Sequence, residues 1–350
     1  MDFRFQTSDS APRLYPPFPF YEDYKDADGH SHLIMRRNNP HSDWGEATAT
    51  VVLSSKELSL PTSIELGWLS VVESKCYKFS ENIDSEKIEA LFEKKDDNDS
   101  PLFEYIVIGL APYGGVAIWL RGPLKSVIID WKKAELANPN DRGFKDFLTG
   151  TTEEQFSQNV LATDELTRQN LLENGLPARN TFDNWMKQYN YRFTLLEEYW
   201  DNNGWQEYDK EDLYYDDMDI VVLEVQCFDG THDQLNDLRL LRYHEAGMPK
   251  MLKAKWRAGR NNFSAYYWFN DAALHNVFSR YSMMDTEGRM DILLRIDTRH
   301  EHYGIAVKID MMPQPAEIPV EAYEMLVFNS GNELWRSPNF SQEDEKAWEW

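Results

Sequence analysis

The chain has 350 residues, of which 42% are hydrophobic and 14% aromatic, and this composition excludes an intrinsically disordered protein. The 60 acidic and 36 basic side chains give a formal net charge of −24, which repels nucleic-acid backbones and anionic lipid head groups. A basic protein is the partner class that this charge favours, although the charge also serves solubility. Cys76 and Cys227 are the only cysteines; they could pair, but they cannot build a disulfide framework or a Cys-rich metal site.

The amino-terminal stretch MDFRFQTSDS has no basic start followed by an apolar run, so it lacks the pattern of a signal peptide. We expect either a protein whose export segment has been removed or, if Met1 is the native start, a cytoplasmic protein. His30 and His32 flank one residue in DADGHSH, and His300 and His302 do so in RHEHYG. Either pair could hold a metal from a strand, but both lie in turn-like sequence, so we predict solvated histidines, no metal and no cofactor.

The most apolar run, YIVIGLAPYGGVAIWL, extends from Tyr105 to Leu120. It is too short to span a membrane comfortably, and Pro112, Gly114 and Gly115 interrupt its middle. The pattern predicts two buried strands joined by a turn.

The next segment, residues 151–177, is polar, with apolar residues at roughly helical intervals and a stop signal at Gly175 and Pro177. We predict a connecting helix here.

Acidic and aromatic residues are interleaved from Glu197 to Asp219, in the sequence EEYWDNNGWQEYDKEDLYYDDMD, where Lys210 is the only basic residue. Such a surface suits a basic partner, because charges steer the encounter and aromatic side chains anchor the interface. An ordinary hairpin with a solvated acidic face and an irregular calcium loop are the alternatives. The predicted partner-binding residues are Glu197, Glu198, Tyr199, Trp200, Asp201, Trp205, Glu207, Asp209, Glu211, Asp212, Tyr214, Tyr215, Asp216, Asp217 and Asp219.

The chain contains an internal repeat at a single offset of 186 residues (292 minus 106). The matched helical positions are Asp84, Ile88, Leu91 and Phe92 in the first copy and Asn270, Leu274, Val277 and Phe278 in the second. The matched strand positions are Ile106, Ile108 and Leu110 against Ile292, Leu294 and Ile296. With small insertions, the flanking matches are Trp68 with Trp256, Cys76–Phe79 with Ser264–Tyr267, and Val116, Ile118 and Leu120 with Ile305, Val307 and Ile309.

This pattern predicts an α+β fold of two pseudo-repeated, mainly antiparallel β halves, each with the order strand, strand, helix, strand, strand. We expect each set of strands to form a sheet with one buried face, covered by its own helix. Asp84 is the expected N-cap of the first helix, and Asn270 or Asp271 can cap the second. The first half covers residues 1–150, a helical connector covers residues 151–177, and the second half covers residues 178–350.

Sequence motifs for catalysis are absent: the chain has no Gly-rich phosphate loop, no dinucleotide fingerprint, no nucleophile elbow and no zinc-protease helix. His244-Glu245 leads to Gly247-Met248 and not to a second histidine. We therefore predict a protein that is not an enzyme, although scattered residues can assemble a catalytic triad without a local motif.

Several segments resemble a bacterial family known as domain of unknown function twenty-nine thirty-one. The segments that match the family are LPTSIELGWLSVVESKCYKFSENIDSEKIEALF, YIVIGLAPYGGVAIWLRGP, FRFQTSDSAPRLYP, DWGE, WMKQYNYRF, the Phe228-Asp229-Gly230 turn and AKWRAGRNNFSAYYWFNDAAL. The GLAPYGG turn, with the strand before it, is the most specific of these, and the resemblance covers nearly the whole chain.

The resemblance implies a periplasmic, lipoprotein-like protein without established catalytic residues, tethered at a lipidated cysteine before the part that matches Met1 to Phe5. This chain has no such cysteine, so membrane contact is expected only through an anchor that lies outside it. Family members also occur beside antibacterial lipase effectors of the type VI secretion system, which implies immunity proteins that bind and block the toxin. The alternative is a non-enzymatic structural or accessory lipoprotein of the cell envelope.

Overall fold

Strands account for most of the regular structure in the computed structural model, which describes residues 2–3, 5–33, 43–47, 49–51, 58–96, 98–201, 204–207, 218–235, 242–258, 260–284, 288–297, 302–309, 315–318 and 323–337. Internal contacts divide the chain into a first unit, residues 1–186 with 229–231, and a second unit, residues 187–228 with 232–350. The β-rich prediction is confirmed for the described residues.

The first unit is built mainly of two five-stranded sheets. Its strands are β1 (Asp2–Phe3), β2 (Gln6–Ser10), β3 (Pro17–Asp26), β4 (Ser31–Leu33), β5 (Ala49–Val51), β6 (Leu58–Ser59), β7 (Pro61–Ser70), β8 (Lys75–Asn82), β9 (Tyr105–Ala111), β10 (Gly115–Arg121), β11 (Ser126–Lys133) and β12 (Glu135–Leu136). One sheet has the order β11-β10-β9-β2-β5 and the other β12-β8-β7-β3-β4, while β1 pairs with β6. The β2–β9 pair is parallel, and the other pairs of these sheets are antiparallel.

The second unit contains two six-stranded sheets. Its strands are β13 (Gln188–Asp201), β14 (Gly204–Glu207), β15 (Met218–Cys227), β16 (His232–Leu235), β17 (His244–Gly247), β18 (Pro249–Ala258), β19 (Asn261–Phe269), β20 (Arg289–Asp297), β21 (His302–Lys308), β22 (Ala316–Glu317), β23 (Tyr323–Asn329) and β24 (Asn332–Arg336). One sheet has the order β14-β13-β20-β21-β22, with β17 also on β13, and the other has β16-β15-β18-β19-β23-β24. Here too one pair, β13 with β20, is parallel.

Six α-helices are described. They are α1 (Ser85–Phe92), α2 (Phe144–Phe147), α3 (Glu153–Thr163), α4 (Glu165–Asn174), α5 (Thr181–Trp185) and α6 (Asp271–Ser282). None of these helices has the length and apolar character needed to cross a membrane.

Helices α1 and α6 begin where the sequence predicted. The Asp84 carboxylate accepts a hydrogen bond from the Lys87 amide at 2.9 Å, and the Asn270 side-chain oxygen accepts one from the Ala273 amide at 3.1 Å. Each bond satisfies one of the amides that a first helical turn leaves unpaired. The apolar face of α1 buries Ile88 and Phe92, and that of α6 buries Leu274, Phe278 and Tyr281.

The predicted hairpin at the apolar run is confirmed. Strand β9 ends at Ala111, a tight turn occupies Pro112–Gly114, and β10 follows in antiparallel register. The inner faces of both sheets of the first unit share one core. Its strand members include Ile64, Leu66, Trp68, Tyr77, Phe79, Ile106, Ile108, Leu110, Val116, Ile118 and Leu120, together with Ile88 and Phe92 of α1.

The expectation that the strands of each half form one sheet, covered by its own helix, is wrong. In the first unit β7 and β8 belong to one sheet and β9 and β10 to the other, so α1 connects two sheets. In the second unit α6 likewise connects β19 of one sheet to β20 of the other. The strands that follow each helix lie in a different sheet because β9 pairs in parallel with β2, and β20 with β13, which come from distant parts of the chain.

The connector contains two helices and not the single one predicted. Thr152 and Gln155 form a capping box at the start of α3, and Asp164 both ends α3 and caps α4. This segment lies within the first unit. Cys76 and Cys227 are both buried and are not joined by a disulfide. Burial raises the pKa of the Cys76 thiol, which keeps it in its unreactive form.

Candidate functional site

The acidic–aromatic segment, residues 197–219, is partly described. Its first part is a hairpin, because Glu198 pairs with Glu207 and Trp200 with Trp205 across strands β13 and β14. Strand β14 is the first strand in the order of its sheet, and β15 begins at Met218. The hairpin alternative is therefore confirmed for the backbone of this part, while its role as a binding surface stays a prediction.

The predicted partner-binding residues divide into three groups. Those outside the described residues are Asp209, Glu211, Asp212, Tyr214, Tyr215, Asp216 and Asp217. Those described by backbone only are Glu197, Tyr199, Trp200, Asp201, Glu207 and Asp219. The side chains of the remaining two, Glu198 and Trp205, are described, and they occupy a common environment.

Glu198 lies inside the second unit and not on its surface. Its residue is only 6% exposed, and one carboxylate oxygen lies 2.6 Å from Nε of Arg295. The Arg295 side chain is 5% exposed and also forms an ion pair with Glu317. Arg295 therefore pairs with a carboxylate of β13 and with a carboxylate of β22, and the Glu198 carboxylate is part of this internal cluster.

Trp205 covers the same guanidinium group. The Arg295 guanidinium lies 5.6 Å from the centre of the Trp205 ring, and the indole occupies the space above Gly304, where a Cβ atom would lie 2.9 Å from Cζ2. Burial raises the pKa of Glu317; the nearby Glu198 charge raises it further, while Arg295 lowers it. The ionic cluster of Glu198, Arg295 and Glu317 thus ties strands β13, β20 and β22 together at the base of the hairpin.

Of the two histidine pairs singled out in the sequence, the structure describes the side chain of His30 alone. His30 contacts Asp26, with its Nδ1 atom 3.1 Å from a carboxylate oxygen, and Asp28 lies beside them, all three ligand atoms being within 4.8 Å. The other Asp26 oxygen accepts hydrogen bonds from the amides of Asp28 and His30. The spacing D-x-D-x-H could have indicated this cluster. The side chains of His32 and His302 are not described, and His300 lies outside the described residues.

A second constellation surrounds the GLAPYGG turn and was missed by sequence reasoning. The Glu73 carboxylate accepts hydrogen bonds from the Ser70 hydroxyl at 2.7 Å, the Tyr113 amide at 2.7 Å and the Tyr77 hydroxyl at 2.9 Å. The Tyr113 hydroxyl donates to the Pro177 carbonyl at 2.7 Å. Burial, followed by the Glu73 charge, raises the pKa values of Tyr77 and Tyr113, so both phenols remain donors at neutral pH.

The backbone of this turn is held in an unusual conformation. Tyr113 has φ 61°, in the left-handed region that non-glycine residues rarely adopt, and Gly114 follows with φ 71°. A Cβ atom at Gly114 would lie 2.9 Å from the Ala134 carbonyl oxygen. The three donors around Glu73 stabilise this geometry, and the bond to Pro177 ties the end of the connector to the turn. Glu73 could be found only through the fold, since it lies 40 residues before Tyr113.

The family model described as "Protein of unknown function (DUF2931)" matches residues 7–211. This region covers most of the first unit, including the Glu73 constellation, and it ends within the acidic–aromatic segment. No curated protein and no solved structure matches the chain.

Proposed function

This chain belongs to the family described as "Protein of unknown function (DUF2931)", and we propose that it is a non-catalytic immunity protein. Its partner would be an antibacterial effector of the type VI secretion system, a phospholipase, which it would inhibit by covering the active site or the membrane-docking surface. The observation that carries this proposal is the acidic–aromatic segment, with its ten acids, six aromatics and one lysine.

The chemistry of a phospholipase explains why such a segment would fit it. An enzyme that works at an anionic membrane docks through exposed apolar side chains mixed with lysine and arginine. A surface of carboxylates interleaved with tyrosine and tryptophan is complementary to both features. The net charge of −24 would also accelerate association with a basic partner.

A rigid base under the segment favours binding. Trp205 and Glu198 both contact Arg295, so the described start of the segment, in β13 and β14, is anchored to the core of the second unit. A binding surface that is ordered beforehand loses less conformational entropy when the partner arrives. The periplasm is the compartment that we propose for this encounter.

The two units are proposed to be copies of one ancestral fold, so that the second carries the partner surface on a scaffold like that of the first. Corresponding connections support this proposal. The parallel pair β2–β9 continues into β10 and β11, and the pair β13–β20 continues into β21 and β22. Likewise, β3-β7-β8 and β15-β18-β19 are consecutive in the other two sheets.

Aromatic contacts support the same offset of 186 residues (278 minus 92). In the first unit, the ring of Phe92 lies 5.7 Å from that of Phe3 and 6.1 Å from that of Phe5. In the second unit, Phe278 lies 5.1 Å from Tyr189 and 5.7 Å from Tyr191, which are the residues at this offset. Superposition of the two units in a crystal structure tests the repeat, and different strand connectivity would contradict it.

Strand register corrects part of the sequence alignment within this proposal. Trp68 pairs and stacks with Tyr77, and Trp256 pairs and stacks with Phe263, so Phe263 and not Ala265 corresponds to Tyr77. Similarly, Ile108 pairs with Ile118 and Leu294 with Ile305, so Ile305 and not Val307 corresponds to Ile118. Both errors are shifts of two residues (265 minus 263; 307 minus 305), which preserve the inward face of a strand and therefore leave the apolar pattern unchanged.

Affinity capture tests the proposed function. The purified chain is used to recover proteins from a lysate of the source bacterium, and the bound proteins are identified by mass spectrometry. One stoichiometric partner with a lipase or other toxin domain supports the proposal. Recovery of envelope components alone favours the accessory-lipoprotein alternative and contradicts the immunity proposal.

Charge reversal in the segment is expected to slow association. The double variant Asp216→Lys and Asp217→Lys should lower the association rate with the recovered effector by roughly tenfold at low salt and weaken its salt dependence, because steering depends on the local field. The control is Glu86→Lys with Glu135→Lys, which changes the net charge equally at exposed positions of the first unit. Equal rates for the two variants would move the interface away from the segment.

A further inference from the structure

An open groove lies in the first unit between strand β3 and helices α3 and α4. Its volume is about 660 Å³. The residues that line it are Phe18, Phe156, Asn159, Val160, Thr163, Asp164, Glu165 and Leu166. None of these residues belongs to the acidic–aromatic segment, residues 197–219.

The floor of the groove is apolar and well supported. The rings of Phe18 and Phe156 meet edge to face at 5.0 Å, and Phe147 lies 5.6 Å from Phe18 and 4.7 Å from Phe156. Leu166 stands at the mouth and is 51% exposed, while Val160 is half-buried. A large apolar side chain entering here would bury the exposed parts of these residues, which favours binding by the hydrophobic effect.

The rim of the groove is acidic. Asp164 and Glu165 lie together at the corner between α3 and α4, and none of the eight lining residues is basic. Arg168 pairs with Glu165, and the Asp164 carboxylate leaves the rim with a net negative charge. The groove therefore combines an apolar floor with a rim that attracts positive charge.

The walls of the groove are ordered by their own caps. The Asp164 carboxylate accepts hydrogen bonds from the Thr167 amide at 3.1 Å and the Thr167 hydroxyl at 2.8 Å. At the other end of α3, the Thr152 hydroxyl accepts from the Gln155 amide at 3.2 Å. Thr167 is buried, so the angle between the helices is set by packing as well as by capping. A partner would meet a surface that needs little reorganisation.

We propose that this groove binds a basic amphipathic helix of a protein partner. Its apolar side chains would lie on Phe18, Phe156, Val160 and Leu166, and its lysine or arginine side chains would face Asp164 and Glu165. Charge complementarity selects this occupant, because a rim with two carboxylates disfavours an acidic or purely apolar segment. The inference does not depend on the immunity proposal, since it rests on a different surface.

The test uses a defined probe. A synthetic peptide of about 14 residues, made of leucine and lysine with the leucines at helical spacing, is titrated into the full chain by calorimetry. A scrambled peptide of the same composition is the control for charge alone. We expect the helical peptide to bind at least about tenfold more tightly than the scrambled one.

Matched variants on α4 locate the binding. Leu166→Asp should raise the dissociation constant of the peptide about tenfold, whereas Leu172→Asp, at a position that is 81% exposed and outside the groove, should leave it within about twofold. Glu165→Lys should weaken binding about threefold and reduce its salt dependence, and Glu173→Lys is its control. Circular dichroism checks that all four variants fold.

Three results would overturn the proposal. Equal affinity for both peptides would show attraction by charge alone, and equal effects of Leu166→Asp and Leu172→Asp would place the peptide outside the groove. Sedimentation supplies the third result: a wild-type dimer that Leu166→Asp converts to a monomer would show that a second copy of the chain occupies the groove.

Discussion

Gly109 and Arg295 stand 186 residues apart (295 minus 109), which is the offset of the proposed repeat, and different kinds of side chain cover their strands. Gly109 lies on β9 and pairs with Ala117, and Arg295 lies on β20 and pairs with Gly304. A Cβ atom at Gly109 would lie 2.4 Å from the ring of Trp119 and 2.7 Å from that of Trp44. In the first unit, therefore, tryptophan side chains cover the strand.

Ionic groups replace this tryptophan cover in the second unit. Arg295 lies between the carboxylates of Glu198 and Glu317, under the ring of Trp205. The face of a strand can thus be covered either by packed aromatic rings or by paired charges. Packing is indifferent to pH, whereas a buried ion pair depends on both partners and on their protonation.

Removal of the tryptophan cover should have the largest effect. Trp119→Ala should lower the free energy of unfolding of the first unit by about 4 kcal/mol, because it leaves a cavity beside Trp44 and removes the donor of the 3.0 Å bond from Nε1 to the Asp229 carbonyl. Urea unfolding followed by circular dichroism measures this. Leu136→Ala, at a position that is 58% exposed, is the control and should change stability by less than about 0.5 kcal/mol.

Loss of the buried Arg295 cation should have the second-largest effect on stability. Arg295→Ala should destabilise the second unit by about 3 kcal/mol, because it leaves the buried Glu198 carboxylate without its partner. The triple variant Glu198→Leu, Arg295→Met and Glu317→Gln should restore stability to within about 1 kcal/mol of the wild type, since no buried charge remains. Failure of the triple variant to recover would mean that the ionic cover is itself essential for the fold.

The two helix N-caps should have smaller and similar effects. Asp84→Ala and Asn270→Ala should each lower the free energy of unfolding by about 1 kcal/mol, since each removes one hydrogen bond to the first turn. Thermal unfolding of both variants measures the effect. A large difference between them would show that α1 and α6 do not contribute in the same way to their units.

Protonation of Glu317 should give the smallest effect, seen as a slope against pH. Because the folded-state pKa of this carboxyl is raised, the folded chain holds its proton more tightly than the unfolded chain does. Its contribution to stability is therefore present below the unfolded value and is lost as pH rises through the folded value. Unfolding measured between about pH 4 and pH 7 should show that Glu317→Gln gains stability relative to the wild type as pH rises. A constant difference would contradict the assignment.

Local features were predictable from the sequence because their causes are local. Asp84 and Asn270 stand one turn before apolar helical positions, and the Pro112-Tyr113-Gly114 turn interrupts an apolar run. Long-range features were not predictable in the same way. The parallel pairing of Thr7 with Ile106 depends on segments that lie far apart in the chain, and no local pattern records it.

The candidate site shows the same limit. The composition of the acidic–aromatic segment was visible, but the burial of Glu198 was not, because its partner Arg295 is 97 residues away (295 minus 198). The local sequence of such a segment predicts solvated acidic residues, because the burial of a carboxylate depends on the neighbouring strand that supplies its partner. The role of Glu73 could not be predicted for the same reason. Its three hydrogen-bond donors come together only when the β7–β8 connection packs against the GLAPYGG turn.

The proposed immunity function is tested by inhibition of a phospholipase effector. Phospholipid hydrolysis by the effector recovered from the same bacterium is measured on anionic vesicles with increasing amounts of the purified chain. We expect hydrolysis to fall to background at one chain per effector molecule, and the Asp216→Lys and Asp217→Lys variant to require a higher concentration. Full hydrolysis in the presence of excess chain would contradict the immunity function.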